Sequence, residues 1–276
     1  MYAGTTPTKF GRHASPMPMR LDRMHLHRGE ELREVDHEPP VPVLDQEDLL
    51  AQGIDTSVLV PGAAKVDALG SCTCQSGTVS LAERYAAVHG VAALPLIGLS
   101  VADSKSNEES AIRLYHSVTD QTGNPATEWP PTDCGSTGLD VCTELETMGL
   151  ARGHQTASGI RNVVSLAQAG TVMVGLPWFE AWMEPDAEGF VDGKGGLFAL
   201  ERAIASGVAG GHETCITAVE RLTIGVVGRI DASKSHLRVR NSWSGSWGDH
   251  GSYRIHLSTL ALLGAHVDYK QLIIAA

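Results

Sequence analysis

The 276-residue sequence has no apolar run near the roughly 20 residues that a membrane-spanning helix needs. The best candidate, residues 91–99, is short and is interrupted by Pro95. The N-terminal stretch MYAGTTPTKFGRHASPMPMR has no continuous apolar centre, so it does not match a Sec-type signal peptide. We therefore expect no membrane insertion.

Basic residues are also too few and too scattered for a nucleic-acid-binding surface. The chain has 21 Lys and Arg against 32 Asp and Glu, which gives a net charge of -11. Because contacts to phosphates need clustered Lys and Arg, we expect no nucleic-acid partner. The apolar fraction of 42% is ordinary for a chain that buries a large core.

Cysteines are few and odd in number, which argues against a disulfide framework and leaves at least one free thiol. The five are Cys72, Cys74, Cys134, Cys142 and Cys215. The pair Cys72-x-Cys74 lacks the two-residue spacing that is typical of zinc sites, and no second pair exists. We predict neither a structural metal nor another cofactor.

Residues 1–50 differ from the rest of the chain because they are rich in proline and weak in helical periodicity. Two interpretations are equally supported: an extended arm or pro-like extension wrapped on the body, and a partly ordered tail. His25 and His27 with Glu30 resemble a metal site, but no further ligand follows at a suitable spacing. We interpret them as solvated surface residues.

Helical periodicity dominates the first half of the remaining chain. One helix should begin near Cys72 and end at Gly90, a residue typical of helix ends. A second is expected after a capping box formed by Ser106 and Glu109. A third should cover residues 139–148.

Short alternating or apolar stretches dominate the second half and predict strands. These cover residues 171–176, 215–222, 223–230, 237–240 and 252–257. The order of elements predicts an α+β fold with a helical lobe at 51–165 and a β-rich lobe at 166–276.

Three short motifs carry residues that could do chemistry. Cys72 in LGSCT begins a predicted helix, whose free N–H groups and dipole stabilise a thiolate. From its position alone, a small buried cysteine without a chemical role is an equally good interpretation. His212 in GGHE suits a general base, but a lone histidine is more often structural. Asn241 in VRNSWSGSWG could orient an imidazole and Trp243 could shield that contact; the alternative is an aromatic turn.

Together these motifs resemble the papain-like cysteine peptidases. GSCT resembles the family's GSCW with Thr73 in place of Trp, GGHE resembles GGHA, and NSWSGSWGDHGSYRI resembles NSWG-x-x-WG-x-x-G-Y-x-x-I. LGSCT, PPTDCGS at 130–136 and PWFEAWMEPDAEG at 177–189 resemble a divergent bacterial and phage branch. The resemblance covers about residues 55–257.

The resemblance implies a two-lobe fold, with a helical lobe carrying Cys72 and a barrel-like lobe carrying His212 and Asn241. Cys72 would be the nucleophile and His212 its base and later its acid, as a thiolate–imidazolium pair that persists near neutral pH. Asn241 would orient His212, Trp243 would cover that contact, and the Cys72 N–H would be one oxyanion donor. A longer hairpin is expected between residues 219 and 237.

One departure concerns the second oxyanion donor, a Gln six residues before the nucleophile in the family. Val66 stands there and cannot donate, a loss that typically lowers the rate about 10²–10³-fold. Lys65 and Gln75 are candidate substitutes. Of the other thiols, Cys74, Cys142 and Cys215 are predicted to pack in the core, and Cys134 lies in a turn where it could pair with another cysteine, although nothing in the sequence selects that partner.

Three functions remain open at this point. The preferred one is an active cysteine peptidase acting on a peptide or protein. The second is a weak or inactive peptidase-fold protein with a structural role, such as a phage tail or capsid-associated component that binds other virion proteins. The third is a cell-wall amidase, which the NSW motif disfavours. The expected location is the cytoplasm or a virion.

Overall fold

The computed structural model describes residues 10–13, 24–120 and 123–276. Predictions on residues 1–9 and 14–23 of the N-terminal arm lie outside the described residues. Most of the helical residues lie in the first half and most of the strand residues in the second, in one antiparallel sheet, so the predicted α+β class is confirmed. Within the described ranges, no helix is both long and apolar enough to cross a membrane.

Four α-helices form the first part of the described chain. They are α1 (Thr56–Leu59), α2 (Cys72–His89), α3 (Ser104–Thr119) and α4 (Gly138–Thr147), with a 3₁₀ helix at Val91–Ile97. Helix α2 begins at Cys72 and ends at Gly90, as predicted, where a φ of 83° favours glycine. Helix α4 begins with a capping box in which the Thr137 side chain and Asp140 accept from each other's backbone N–H.

The predicted capping box at Ser106 and Glu109 is wrong. Helix α3 begins one turn earlier, because Asp103 accepts a hydrogen bond from the Ser106 N–H at 3.0 Å. Asp is as good an N-cap residue as Ser, so the earlier residue takes the role.

Among the residues that the structure describes, seven strands form one antiparallel sheet. They are β1 (Val35–Asp36), β2 (Gly153–Thr156), β3 (Val172–Phe179), β4 (Val208–Arg221), β5 (His236–Arg240), β6 (Ser252–His256) and β7 (Asp268–Ile273). The order is β2-β7-β3-β4-β5-β6, and β1 pairs with β4. Helices α5 (Ile160–Ala167), α6 (Gly196–Ser206) and α7 (Leu257–Leu263) accompany the sheet.

The predicted strand at residues 223–230 is wrong. This stretch folds into a turn in which the Gly225 N–H donates to the Arg229 carbonyl at 2.7 Å. Its β-branched residues Val226 and Val227 are exposed, so no burial supports a strand there. Since β4 ends at Arg221 and β5 begins at His236, the longer connection expected from the sequence is confirmed.

The buried apolar side chains form two clusters, one around the first helices and one around the sheet. Helix α2 meets the sheet at β4, where the Ser76 hydroxyl donates to the Thr214 carbonyl at 2.8 Å. Strand β2 lies before residue 166 and helix α5 begins before it, yet β2 pairs with β7 and α5 packs in the sheet cluster. The contact between α2 and β4 brings the motif that contains Cys72 close to the motif that contains His212.

Residues 24–49 of the N-terminal arm lie against the body. The His25 N–H donates to the Thr156 carbonyl at 2.6 Å, and β1 adds to the edge of β4. Leu44 and Leu49 are fully buried in the helical cluster. This part of the chain therefore belongs to the packed structure.

Candidate active site

Cys72 is the first residue of α2 and is fully buried. The loop that precedes it is fixed by Asp133, whose carboxylate accepts from the Gly70 N–H at 2.8 Å and from the Tyr115 hydroxyl at 2.8 Å. The same hydroxyl accepts from the Gly135 N–H at 2.7 Å. Burial raises the pKa of Asp133. Asp133 thus ties the loop before Cys72 to the PPTDCGS stretch, a role that the sequence motif alone did not reveal.

His212 on β4 and Asn241, directly after β5, are hydrogen-bonded. His212 Nε2 lies 2.7 Å from Asn241 Oδ1, which also accepts from the Ser242 N–H at 2.8 Å. Because an amide oxygen only accepts, this network assigns the imidazole proton to Nε2. Nδ1 is then the basic nitrogen of the neutral ring.

Aromatic rings cover this hydrogen-bonded pair. The Trp243 ring stacks on His212 at 4.6 Å between centroids with an interplanar angle of 21°. Trp178 meets His212 edge-on at 5.1 Å and 81°. All three side chains are buried, so the His212–Asn241 contact lies in a water-poor environment. Trp178 belongs to the PWFEAWM stretch, and its place beside His212 depends on the pairing of β3 with β4.

The Cys72 thiol lies beside the segment that carries His212. The backbone N–H groups of Glu213 and Gly11 face the thiol. Burial raises the pKa of Cys72 to about 12, and the nearby Glu213 carboxylate adds to this effect. The resemblance implied a thiolate that persists near neutral pH, whereas burial of Cys72 in this structure favours the protonated thiol.

Neither predicted substitute for the oxyanion Gln lies at Cys72. Lys65 forms an ion pair with Asp55 at 3.0 Å, and more than half of its side chain is exposed. The Gln75 amide donates to the Ser71 hydroxyl at 2.8 Å and to Glu108 at 2.5 Å. These candidates are wrong, because helix geometry and surface pairing direct both side chains elsewhere.

Gln46 is a buried amide that the sequence analysis missed. Its Nε2 donates to the Leu69 carbonyl at 3.0 Å, and its Oε1 accepts from the Ser242 hydroxyl at 2.7 Å. Gln46 therefore joins the loop before Cys72 to the residue after Asn241. Only the folded arm brings these segments together, so no local sequence signal could have identified it.

None of the five cysteines, which all lie in the described ranges, is in a disulfide. Cys74, Cys142 and Cys215 are fully buried in the helical cluster, as predicted, and Cys134 is half-buried. In the part of the chain that the structure describes, no cluster of three or more His, Cys, Asp or Glu suits a metal ion. His25 contacts Ser165 at 2.9 Å, and His27 pairs with Glu30 at 3.1 Å.

Comparison with solved structures relates this architecture to known proteins. Xylellain, a cysteine protease from Xylella fastidiosa, superposes over 100% of both chains with a TM-score of 0.51 and 14% identity. The fold is papain-like. Two more solved structures with this likeness are procathepsin L 3 of the Tenebrio molitor larval midgut and procathepsin B S9 from Trypanosoma congolense.

The Tenebrio structure has a TM-score of 0.44 and 13% identity, covering 97% of this chain and 76% of that one. The Trypanosoma structure has a TM-score of 0.47 and 14% identity, covering 97% and 87%. No family model matches the sequence. No curated protein matches it either. The papain-like fold thus emerges from the structure, while the site must be argued from its own residues.

Proposed function

We propose that the protein is a cysteine peptidase that hydrolyses amide bonds through a thioester on Cys72. The observation that carries the proposal is the buried hydrogen bond between His212 and Asn241. It lies close to Cys72, because the backbone N–H of Glu213, the residue after His212 on β4, faces the Cys72 thiol. A thiol, a base and a residue that orients the base are the three parts that this chemistry needs.

The reaction would begin when His212 takes the Cys72 proton through Nδ1, while Asn241 holds Nε2. The thiolate would attack the substrate carbonyl, and the Cys72 N–H at the start of α2 would stabilise the oxyanion. The imidazolium would then protonate the leaving amine. Water would attack the thioester with His212 as base, which restores the thiol.

Access to the thiol requires that residues 10–13 leave it. Cys72 has no exposed surface while Gly11 lies against it. Displacement of this segment would return water to the site and remove the burial that raises the pKa of Cys72. We therefore expect peptidase activity only from the uncovered form.

A second candidate is a peptidase-fold protein with little or no activity. Two observations favour it: Val66 stands where a donor is expected, and the thiol is covered by the chain's own N-terminal segment. Such a protein would keep the fold as a binding or structural scaffold. Association with a virion remains a prediction from the sequence resemblance.

The test is cleavage of a peptide mixture, followed by mass spectrometry, with the full-length protein and with Arg12→Ala, which weakens the covering segment. We expect cleavage that disappears in Cys72→Ala and His212→Ala and persists in Cys142→Ala, a matched removal of a buried thiol. Cleavage that survives Cys72→Ala would contradict the assignment. No cleavage by Arg12→Ala, with the fold intact, would favour the inactive scaffold.

A further inference from the structure

Residues 10–13, hereafter the cleft segment, lie between the helical part and the sheet. The Arg12 N–H donates to the Gly211 carbonyl on β4 at 3.1 Å. On the other side, the Ser136 N–H donates to the Gly11 carbonyl at 2.6 Å, and the His13 N–H donates to the Ser136 carbonyl at 2.7 Å. The cleft segment is thus bound through its backbone on both sides, as an extended peptide is.

Glycines make room for the cleft segment. A Cβ at Gly211 would collide with the Arg12 carbonyl oxygen, and one at Gly135 with the Gly11 carbonyl oxygen. A Cβ at Gly210 would lie 2.5 Å from the Phe10 Cβ. The groove is therefore shaped for a peptide backbone that passes directly over Cys72.

The Arg12 side chain enters a closed pocket at one side of this groove. Only 5% of the side chain is exposed. Its Nη2 donates to Asp268 on β7, and its Nε lies 3.7 Å from Glu213 Oε2. A Cβ at Gly175 would lie 2.5 Å from both Arg12 Nε and Glu213 Oε2, so glycine there leaves space for the guanidinium.

The charges of the pocket require a cation from the groove. Glu213 and Asp268 supply two carboxylates, and Lys270 on β7 pairs with Asp268 and also attracts Glu213. Glu213 is fully buried, and neither of its oxygens accepts a hydrogen bond from a residue in the described ranges. Without Arg12 the two carboxylates would share the single charge of Lys270, which is unfavourable for groups that are largely buried.

We propose that the pocket formed by Glu213, Asp268 and Gly175 is a specificity site for an arginine side chain, and that Arg12 fills it as an internal competitor. The proposal deepens the proposed function, since it names the peptides that this groove would accept. A planar guanidinium can face both carboxylates at once, through Nη2 and Nε, whereas the single ammonium of a lysine would be a poorer match.

The location of the pocket connects it with the chemistry. Gly11, whose N–H faces the Cys72 thiol, directly precedes Arg12. An arginine bound in the pocket would therefore place the neighbouring peptide unit at the thiol. Glu213 also directly follows His212 on β4, so the residue that selects arginine would be the neighbour of the residue that acts as the base.

The experiment measures binding and does not require turnover. A fluorescein-labelled Phe-Gly-Arg-His peptide is titrated into full-length Cys72→Ser and Cys72→Ser/Arg12→Ala proteins, with fluorescence anisotropy as readout. A second peptide carries citrulline, which is neutral and nearly isosteric with arginine. We expect removal of Arg12 to tighten binding of the arginine peptide by about tenfold or more, with little gain for citrulline.

Variants of the pocket complete the test. In the Cys72→Ser/Arg12→Ala background, Glu213→Gln and Asp268→Asn should each reduce the preference for arginine over citrulline. The matched control is Glu220→Gln, a carboxylate on the same strand that pairs with Arg254 away from the groove. That variant should leave the preference unchanged.

Equal binding of the two peptides, or no gain on removal of Arg12, would overturn the proposal. Circular dichroism and thermal melting establish that each variant is folded. Should Arg12→Ala unfold, Arg12→Gln keeps much of the side chain without its charge and replaces it. Arginine-selective binding without hydrolysis would retain the specificity site and reject the peptidase; hydrolysis without arginine selectivity would do the reverse.

Discussion

Replacement of Asn241 by alanine tests whether the buried His212–Asn241 contact organises the site. The substitution removes one acceptor that serves two donors, His212 Nε2 at 2.7 Å and the Ser242 N–H at 2.8 Å. A buried donor without an acceptor costs about 1–3 kcal/mol. Because the two donors share one oxygen, we expect Asn241→Ala to lower the free energy of unfolding by about 2–4 kcal/mol.

The same substitution should reduce activity beyond its effect on stability. An imidazole that can rotate is a poorer base, so we expect kcat for the cleaved peptide to fall about tenfold to hundredfold, with KM changed less. Urea unfolding and peptide hydrolysis, measured at a temperature where the variant is folded, give the two quantities.

Asn107→Ala is the matched control. Asn107 is also fully buried, and its side chain makes two hydrogen bonds to the Ser100 backbone, at 2.7 and 2.8 Å, away from the site. It should lose similar stability and keep kcat. Equal loss of kcat in both variants, or less than about 0.5 kcal/mol of destabilisation in Asn241→Ala, would refute the reasoning.

Two further predictions concern buried groups near the loop that precedes Cys72. Gln46→Ala should lose about 1–3 kcal/mol of stability in urea, because the Leu69 carbonyl and the Ser242 hydroxyl both lose a partner; an unchanged midpoint would contradict this. Burial raises the pKa of Glu108 to about 7, above the 4.5 of an exposed glutamate, so folding favours its protonated form. Wild-type stability should therefore fall as pH rises from about 4.5 through about 7, by about 3 kcal/mol from this group. Glu108→Gln should remove that part of the slope, while Glu213, whose pKa burial also raises to about 7, keeps its own part. An unchanged slope in Glu108→Gln would contradict the assignment.

The elements that the sequence predicted well are those fixed by local patterns. Helix α2 follows from apolar spacing and the stop at Gly90, and β3 follows from the apolar run that begins after Thr171. The failure at residues 223–230 has a local cause too. Val226 and Val227 suggest a strand, but the surrounding glycines form a turn that leaves both exposed.

What the sequence could not predict depends on contacts between distant segments. Gln46 reaches the site only because the arm packs between the Leu69 and Ser242 segments. The covered thiol depends on residues 10–13, which carry no motif of their own. Glu213 appeared in the sequence only as a departure from GGHA, and its pocket exists because β7 brings Asp268 beside it.

The most direct test of the proposed site is alkylation of Cys72. Arg12→Ala and Arg12→Ala/His212→Ala, in which the covering segment has lost its buried side chain, would be labelled with iodoacetamide from about pH 4 to 9 and analysed by mass spectrometry. We predict fast labelling of Cys72 well below the ordinary thiol pKa of about 8.5 in the first variant, lost in the second. Labelling that rises only near about pH 8.5, unchanged by His212→Ala, would contradict a working thiolate–imidazolium pair.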